Sequence, residues 1–197
     1  MKHASGFRWE VIVSVPLVVA AVAVGLWLAV EGAYENVRLA RATDQILDTV
    51  AVARNMGLDN ATPEDKATKN LLDQLERSGT MHIAAAGDMD PGAPGTRGII
   101  NPWGGFMDVK LAPSAQTLRL TTHLSPTACR RLVLFFSKTR SLGVQRVEAR
   151  DDVLGVAFRQ IYDASSNLNV NGPEPFAIKV GCGFSNQVML ALTFRLR

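Results

Sequence analysis

Residues 11–30 read VIVSVPLVVAAVAVGLWLAV, twenty positions without one charged side chain. At roughly 1.5 Å of rise per residue, a helix of about 20 residues crosses the hydrocarbon core of a bilayer. The run is too long for a secretory h-region, and no Ala-x-Ala-like cleavage site follows it. On its N-terminal side stand a short basic leader and the junction Ser5-Gly6-Phe7-Arg8-Trp9-Glu10. On its C-terminal side Val30, Ala33, Val37, Ala40, Ile46, Val50 and Val52 recur at three- and four-residue steps, with Glu35, Asn36, Arg38, Asp44, Gln45 and Asp48 between them. The pattern predicts one helix over 7–55, oily in its first half and amphipathic in its second. Pro16, which removes a backbone donor, is expected to kink or loosen it, and Asn55-Met56-Gly57 to stop it.

The flanking charges give an orientation. Lys2 and Arg8 precede the apolar run, whereas Glu31 and Glu35 balance Arg38 and Arg41 after it. The positive-inside bias places the N-terminus in the cytoplasm and the bulk of the chain outside. The remaining residues, 56–197, suffice for one globular head with its own core. An isolated cysteine pair in an exported domain forms a disulfide as a rule, so Cys129 and Cys182, the only two cysteines, are expected to be bridged. The net charge of +3 is small and its basic residues are scattered, which gives no nucleic-acid footprint.

Beyond the helix, Thr62-Pro63-Glu64-Asp65 predicts a second helix with Thr62 as cap and Pro63 at its first position, closed by Ser78-Gly79. Turn chemistry over 86–98 predicts a surface loop. Alternation predicts strands at 106–111 and 117–122, and Ser125-Pro126-Thr127 opens a third helix carrying Cys129, Leu132, Val133, Phe135 and Phe136. Further strands are expected at 144–149, 153–161, 176–180 and 188–196, with a loop at 169–173. The fold class is α+β, an antiparallel sheet facing helices.

Catalytic chemistry finds little footing. His3, His82 and His123 lie far apart, and there is no His-Glu-x-x-His, Gly-x-Ser-x-Gly, phosphate-binding loop or Cys-x-x-Cys. Asp88 and Asp90, like Asp151 and Asp152, read as turn formers. No enzyme, metal or cofactor is expected.

These parts together resemble the type IV pilins, and the C-terminal half resembles the type IVb group that includes toxin-coregulated and thin-pilus pilins. The resemblance rests on the leader ending in Gly6, Phe7 after it, Glu10 close behind and the long apolar helix. The run Asn101-Pro102-Trp103-Gly104-Gly105, the Ala128-Cys129 helix and the late Cys182 complete it. It implies removal of residues 1–6 by a prepilin peptidase, with Phe7 as the methylated first residue and Glu10 neutralising a neighbouring subunit's amine during assembly. Cutting after Gly6 makes Glu10 the fourth mature residue; cutting after Ser5 makes it the fifth, its usual place in the family. It further implies a fibre core of N-terminal helices, with other pilin subunits as partners. The head would stand in the periplasm before assembly and on the cell surface after it. The region bounded by Cys129 and Cys182 would hold recognition surface, with the bridge joining the third helix to the last strand. Trp103, Gly104 and Gly105 would fix a turn where the loop joins the sheet. Two other readings fit the same sequence: an inner-membrane-anchored periplasmic binding module that never polymerises, and a secretion-system pseudopilin.

Overall fold

A computed structural model describes residues 9–57, 59–85, 97–151, 157–165, 173, 175–183 and 187–196, with side chains from Ala20 onward and excluding that of Arg140. The chain divides into two compact units, residues 1–38 and 39–197. Helix α1, Trp9–Asn55, runs through Pro16 and Gly25 and through the division between the units. It ends at Gly57, whose φ of +58° gives the left-handed residue that closes a helix and that glycine adopts without strain.

In the first unit the described side chains of α1 are almost all exposed. In the second unit the helix buries a stripe of Ala42, Ile46, Thr49, Val50 and Ala53. The buried stripe therefore starts at Ala42: Ala33, Val37 and Ala40, expected on the same face, are exposed. Thr49 enters the apolar stripe because its hydroxyl donates to the Gln45 carbonyl four residues back, at 2.7 Å. Helix α2, Glu64–Arg77, presents Ala67, Leu71, Leu72 and Leu75 to the same core. Pro63, rather than Thr62, occupies its N-cap, and no side chain caps it; Thr62 instead closes a turn by donating its N–H to the Asp59 carbonyl at 2.9 Å.

Seven strands form one sheet in the order β1-β2-β3-β4-β7-β5-β6, every pair antiparallel. They are β1 (Ile83–Ala85), β2 (Arg97–Ile100), β3 (Phe106–Ala112), β4 (Thr117–Leu124), β5 (Val144–Asp151), β6 (Arg159–Asp163) and β7 (Val188–Arg195). β7, last in sequence, fills the centre between β4 and β5. Alternation puts Val109, Leu111, Leu118, Leu120, Leu190, Leu192 and Phe194 on the face toward the helices. Helix α3, Pro126–Lys138, seats Phe136 edge-on to Phe194 with ring centroids 5.7 Å apart. Its N-cap is Ser125, whose hydroxyl accepts from the Ala128 N–H at 3.2 Å. The fold is thus α+β, a long N-terminal helix whose residues within the second unit pack on an antiparallel sheet.

Four local expectations are corrected. Residues 176–180 are helical, within α4 (Pro175–Gly181), and not a strand. Arg97 and Gly98 belong to β2 and not to a loop, and they pair with β1, which the sequence reading did not anticipate. Asp151 is a buried end of β5 rather than a turn former. Of the expected strand 153–161, residues 153–156 lie outside those described, 157 and 158 are not in a strand, and the strand begins at Arg159 and extends to Asp163. The loop expected at 169–173, most of 86–98, and Asp88, Asp90 and Asp152 lie outside the described residues.

Strand β2 pairs with β3 only at Ile99 and Ile100, which leaves the edge of β3 open beyond Met107. Helix α2 covers it: Thr68 Oγ1 accepts the Leu111 N–H at 3.0 Å. Arg97 then clamps α2 to β2 by pairing with Asp73 at 2.5 Å and Glu76 at 2.6 Å. The hydrogen bond from Arg97 holds the Asp73 carboxyl below its ordinary range, and the hydroxyl and N–H of Ser165 do the same for Asp163. Both carboxyls have folded values below their unfolded ones. Their stabilisation is complete above the unfolded value of about 3.9 and is lost as pH falls through the folded values. The melting temperature should hold between pH 7 and 5 and drop below pH 4. Arg97→Gln should shrink that acid drop, leaving the part due to Asp163. An identical drop in both proteins, read by circular dichroism, would show that the clamp contributes nothing.

Candidate functional site

Of the residues singled out for processing and assembly, Gly6 and Phe7 lie outside those described. Glu10 sits in the first turns of α1, and its side chain lies outside them as well. The side chains of 11–19, nearly half of the apolar run, share that position. Among the described residues no helix is long and apolar enough to cross a membrane.

What is described of the run is its second half, and it is apolar all round. Val22, Val24, Leu26, Trp27, Leu28 and Val30 are all exposed, Trp27 by 72%. Consecutive positions 26, 27 and 28 point in three directions around a helix, so no single stripe can be covered by one neighbouring element. A turn later the surface becomes amphipathic, with Arg38 stacked over the ring of Tyr34 at 4.5 Å.

The run 101–105 forms the hairpin between β2 and β3, not a junction between loop and sheet. Gly104 N–H donates to the Asn101 carbonyl, and Asn101 N–H to the Gly105 carbonyl, each at 2.9 Å, enclosing the three-residue loop Pro102-Trp103-Gly104. Such a loop needs a left-handed residue in its third place, and Gly104 has φ +79°. Trp103 is half-buried and packs against the core. The residue that holds the turn is Asn101. Its Oδ1 accepts from Trp103 N–H and Gly105 N–H at 2.9 Å, while its Nδ2 donates to Thr122 Oγ1 at 2.8 Å and the His123 carbonyl at 3.0 Å. A turn at Trp103, Gly104 and Gly105 was legible; Asn101 as the residue that holds it, and its two partners on β4, were not.

Cys129 and Cys182 are disulfide-bonded, with Cα atoms 5.7 Å apart. Cys129 lies in the first turns of α3, and Cys182 directly follows α4. The bridge therefore joins two helices, and not the third helix to the last strand. Both cysteines are fully buried. Between them the chain runs through the rest of α3, β5, β6 and α4. Among the described residues, the large apolar side chains exposed on this region are Leu134, Phe135 and Phe176.

Among the described residues no group of three or more His, Cys, Asp or Glu could hold a metal ion. Comparison with protein-family models, with curated proteins and with solved structures returns no match.

Proposed function

We propose that this chain is a structural subunit of the type IV pilin kind, of the type IVb group, which polymerises through its N-terminal helix and displays residues 129–182 for recognition. The observation that carries the reading is the apolar surface of α1 from Ala20 to Val30, exposed on every side. Large apolar side chains left in water forfeit roughly 2 kcal/mol each, and six of them stand consecutively or nearly so on one helix. Such a helix is stable in lipid or among copies of itself. Ala20, Ala21, Ala23 and Gly25 leave room for backbones to approach closely in either setting. A pilin uses both in turn, lipid before assembly and a helical core after it.

Support from the other end of the chain is the continuity of α1 into the head, where residues 42–53 are fixed under a sheet by Ile46, Val50 and Ala53. The disulfide frames a C-terminal region of β5, β6 and α4, which in this reading is the variable outward part. Glu10 serves the assembly step: a carboxylate at the mouth of an apolar helix is costly without a partner, and a neighbour's free amine supplies one.

The test is the N-terminal sequence and intact mass of the protein taken from its native membranes. A chain beginning at Phe7, one methyl group heavier than its sequence, is the expected result. A start at Gly6 keeps the reading and places Glu10 in the fifth mature position. An intact Met1 would contradict it and leave a single-pass anchored module.

A further inference from the structure

The face of the sheet turned away from the helices carries a row of polar side chains that spans five strands. Lys110 on β3 pairs with Arg119 on β4, Arg119 with Thr193 on β7, Thr193 with Arg146 on β5, and Arg146 with Asp163 on β6. One step along, Thr117 pairs with Arg195. Two cations directly opposite each other, as Lys110 and Arg119 are, destabilise a sheet unless something negative lies between or above them.

Arg146 reaches this row because β5 is irregular. Val144 pairs with Phe194 and Arg146 with Thr193, so Gln145 is an inserted residue. The bulge lets Val144 and Val147 both stay buried while Arg146 turns outward. A cavity of about 750 Å3 opens over the row, lined by Lys110, Thr117, Arg119, Arg146, Thr193 and Arg195 among others.

The acids nearby take up only part of this positive charge. Glu148 forms an ion pair with Arg119 at 3.0 Å and stands 3.9 Å from Arg146, and the Arg119 guanidinium also lies 5.5 Å over the Phe158 ring. Asp108 is 3.8 Å from Lys110. Asp163 is taken up by Ser165 and by a long 3.5 Å contact with Arg146. Glu64 stands in the lining and is exposed. Among the described residues, the Arg195 side chain makes no hydrogen bond or ion pair, and Lys110 has only its 3.8 Å contact with Asp108. Three cations therefore face one cavity, with Lys110 and Arg195 the least engaged of them.

We infer that this cavity binds a small hydroxylated ligand bearing a carboxylate or a phosphate. The anionic group sits across Lys110, Arg119 and Arg195, where guanidinium forks match either oxyanion. Thr117 and Thr193 supply hydroxyls for the polar body. The inference stands apart from the assembly reading, since it uses only residues of the head.

The experiment is calorimetric titration of the full chain, in neutral detergent at low salt, with inorganic phosphate, with glucuronate and with glucose. Phosphate or glucuronate should bind saturably and glucose should not. Arg195→Gln and Lys110→Gln should each weaken that binding about tenfold, the loss of one charged hydrogen bond, with unchanged melting temperature. Tighter glucuronate would mark an acidic sugar as the source of the anion; tighter phosphate would mark a phosphorylated ligand. No saturable binding of either anion, binding that both variants leave unaltered, or equal binding of glucose would overturn the site.

Discussion

Replacing Cys129 and Cys182 together by Ser should lower the stability of the head by roughly 4 kcal/mol, the chain-entropy value for releasing a loop of this size. The cysteines are 53 residues apart in sequence, so the bridge removes much freedom from the unfolded chain. Both sulfurs are fully buried, and each serine adds a hydroxyl to an apolar setting, which deepens the loss. For a head of this length the melting temperature should fall by about 10 °C. The damage should be greatest at α3 and α4, the two helices that the bridge joins. Hydrogen exchange would read this as lost protection in α4 before β3 or β4. Alkylation of the denatured, unreduced wild-type protein should add no label; two labels would contradict the bridge.

Asn101→Ala should cost roughly 3 kcal/mol, because it strands several buried partners at once. Asn101 is 4% exposed, and its side chain serves two backbone N–H groups of the hairpin loop as well as Thr122 and the His123 carbonyl on β4. Asn101→Asp is the sharper variant. It keeps both acceptor bonds to Trp103 and Gly105 but turns the donor toward β4 into a buried negative acceptor facing the His123 carbonyl. It should therefore be no better than Ala at neutral pH and should recover part of the loss as the carboxyl protonates in acid. Urea denaturation of the three proteins at two pH values decides it. An Asp variant as stable as the wild type would show that the turn, rather than its tie to β4, is what Asn101 provides.

How much could be read beforehand follows from the range of each interaction. Helix α1 was legible because its signals are local: an uncharged run, a helical period and a left-handed glycine at 57. The cap at Ser125 and the alternation of β3 and β4 were legible for the same reason. Helix α4 was not. Phe176-Ala177-Ile178-Lys179-Val180 is too short for period to separate helix from strand, and burial of Ile178 together with the tie at Cys182 decides the matter. The stripe on α1 was misplaced upstream because periodicity reports a face that could be covered, and not where cover begins; it begins in part at Leu39 and is full from Ala42.

The polar features were the least legible. Arg97 finds Asp73 and Glu76 across more than twenty residues, and Asn101 finds Thr122 across a hairpin. The cation row depends on β7 entering between β4 and β5, a topology that no local pattern announces. Even then Arg146 joins it only through the bulge at Gln145. Scattered basic residues in the sequence become a line in the sheet.

The decisive measurement on the whole proposal is where the protein goes in its own cells. Surface filaments should be sheared off, pelleted and analysed by mass spectrometry for peptides of residues 97–197 and for the N-terminal peptide. If the chain polymerises through α1, it is found in the filament fraction, lacking residues 1–6 or 1–5. A chain confined to the membrane fraction, and monomeric once dissolved in detergent, would contradict it.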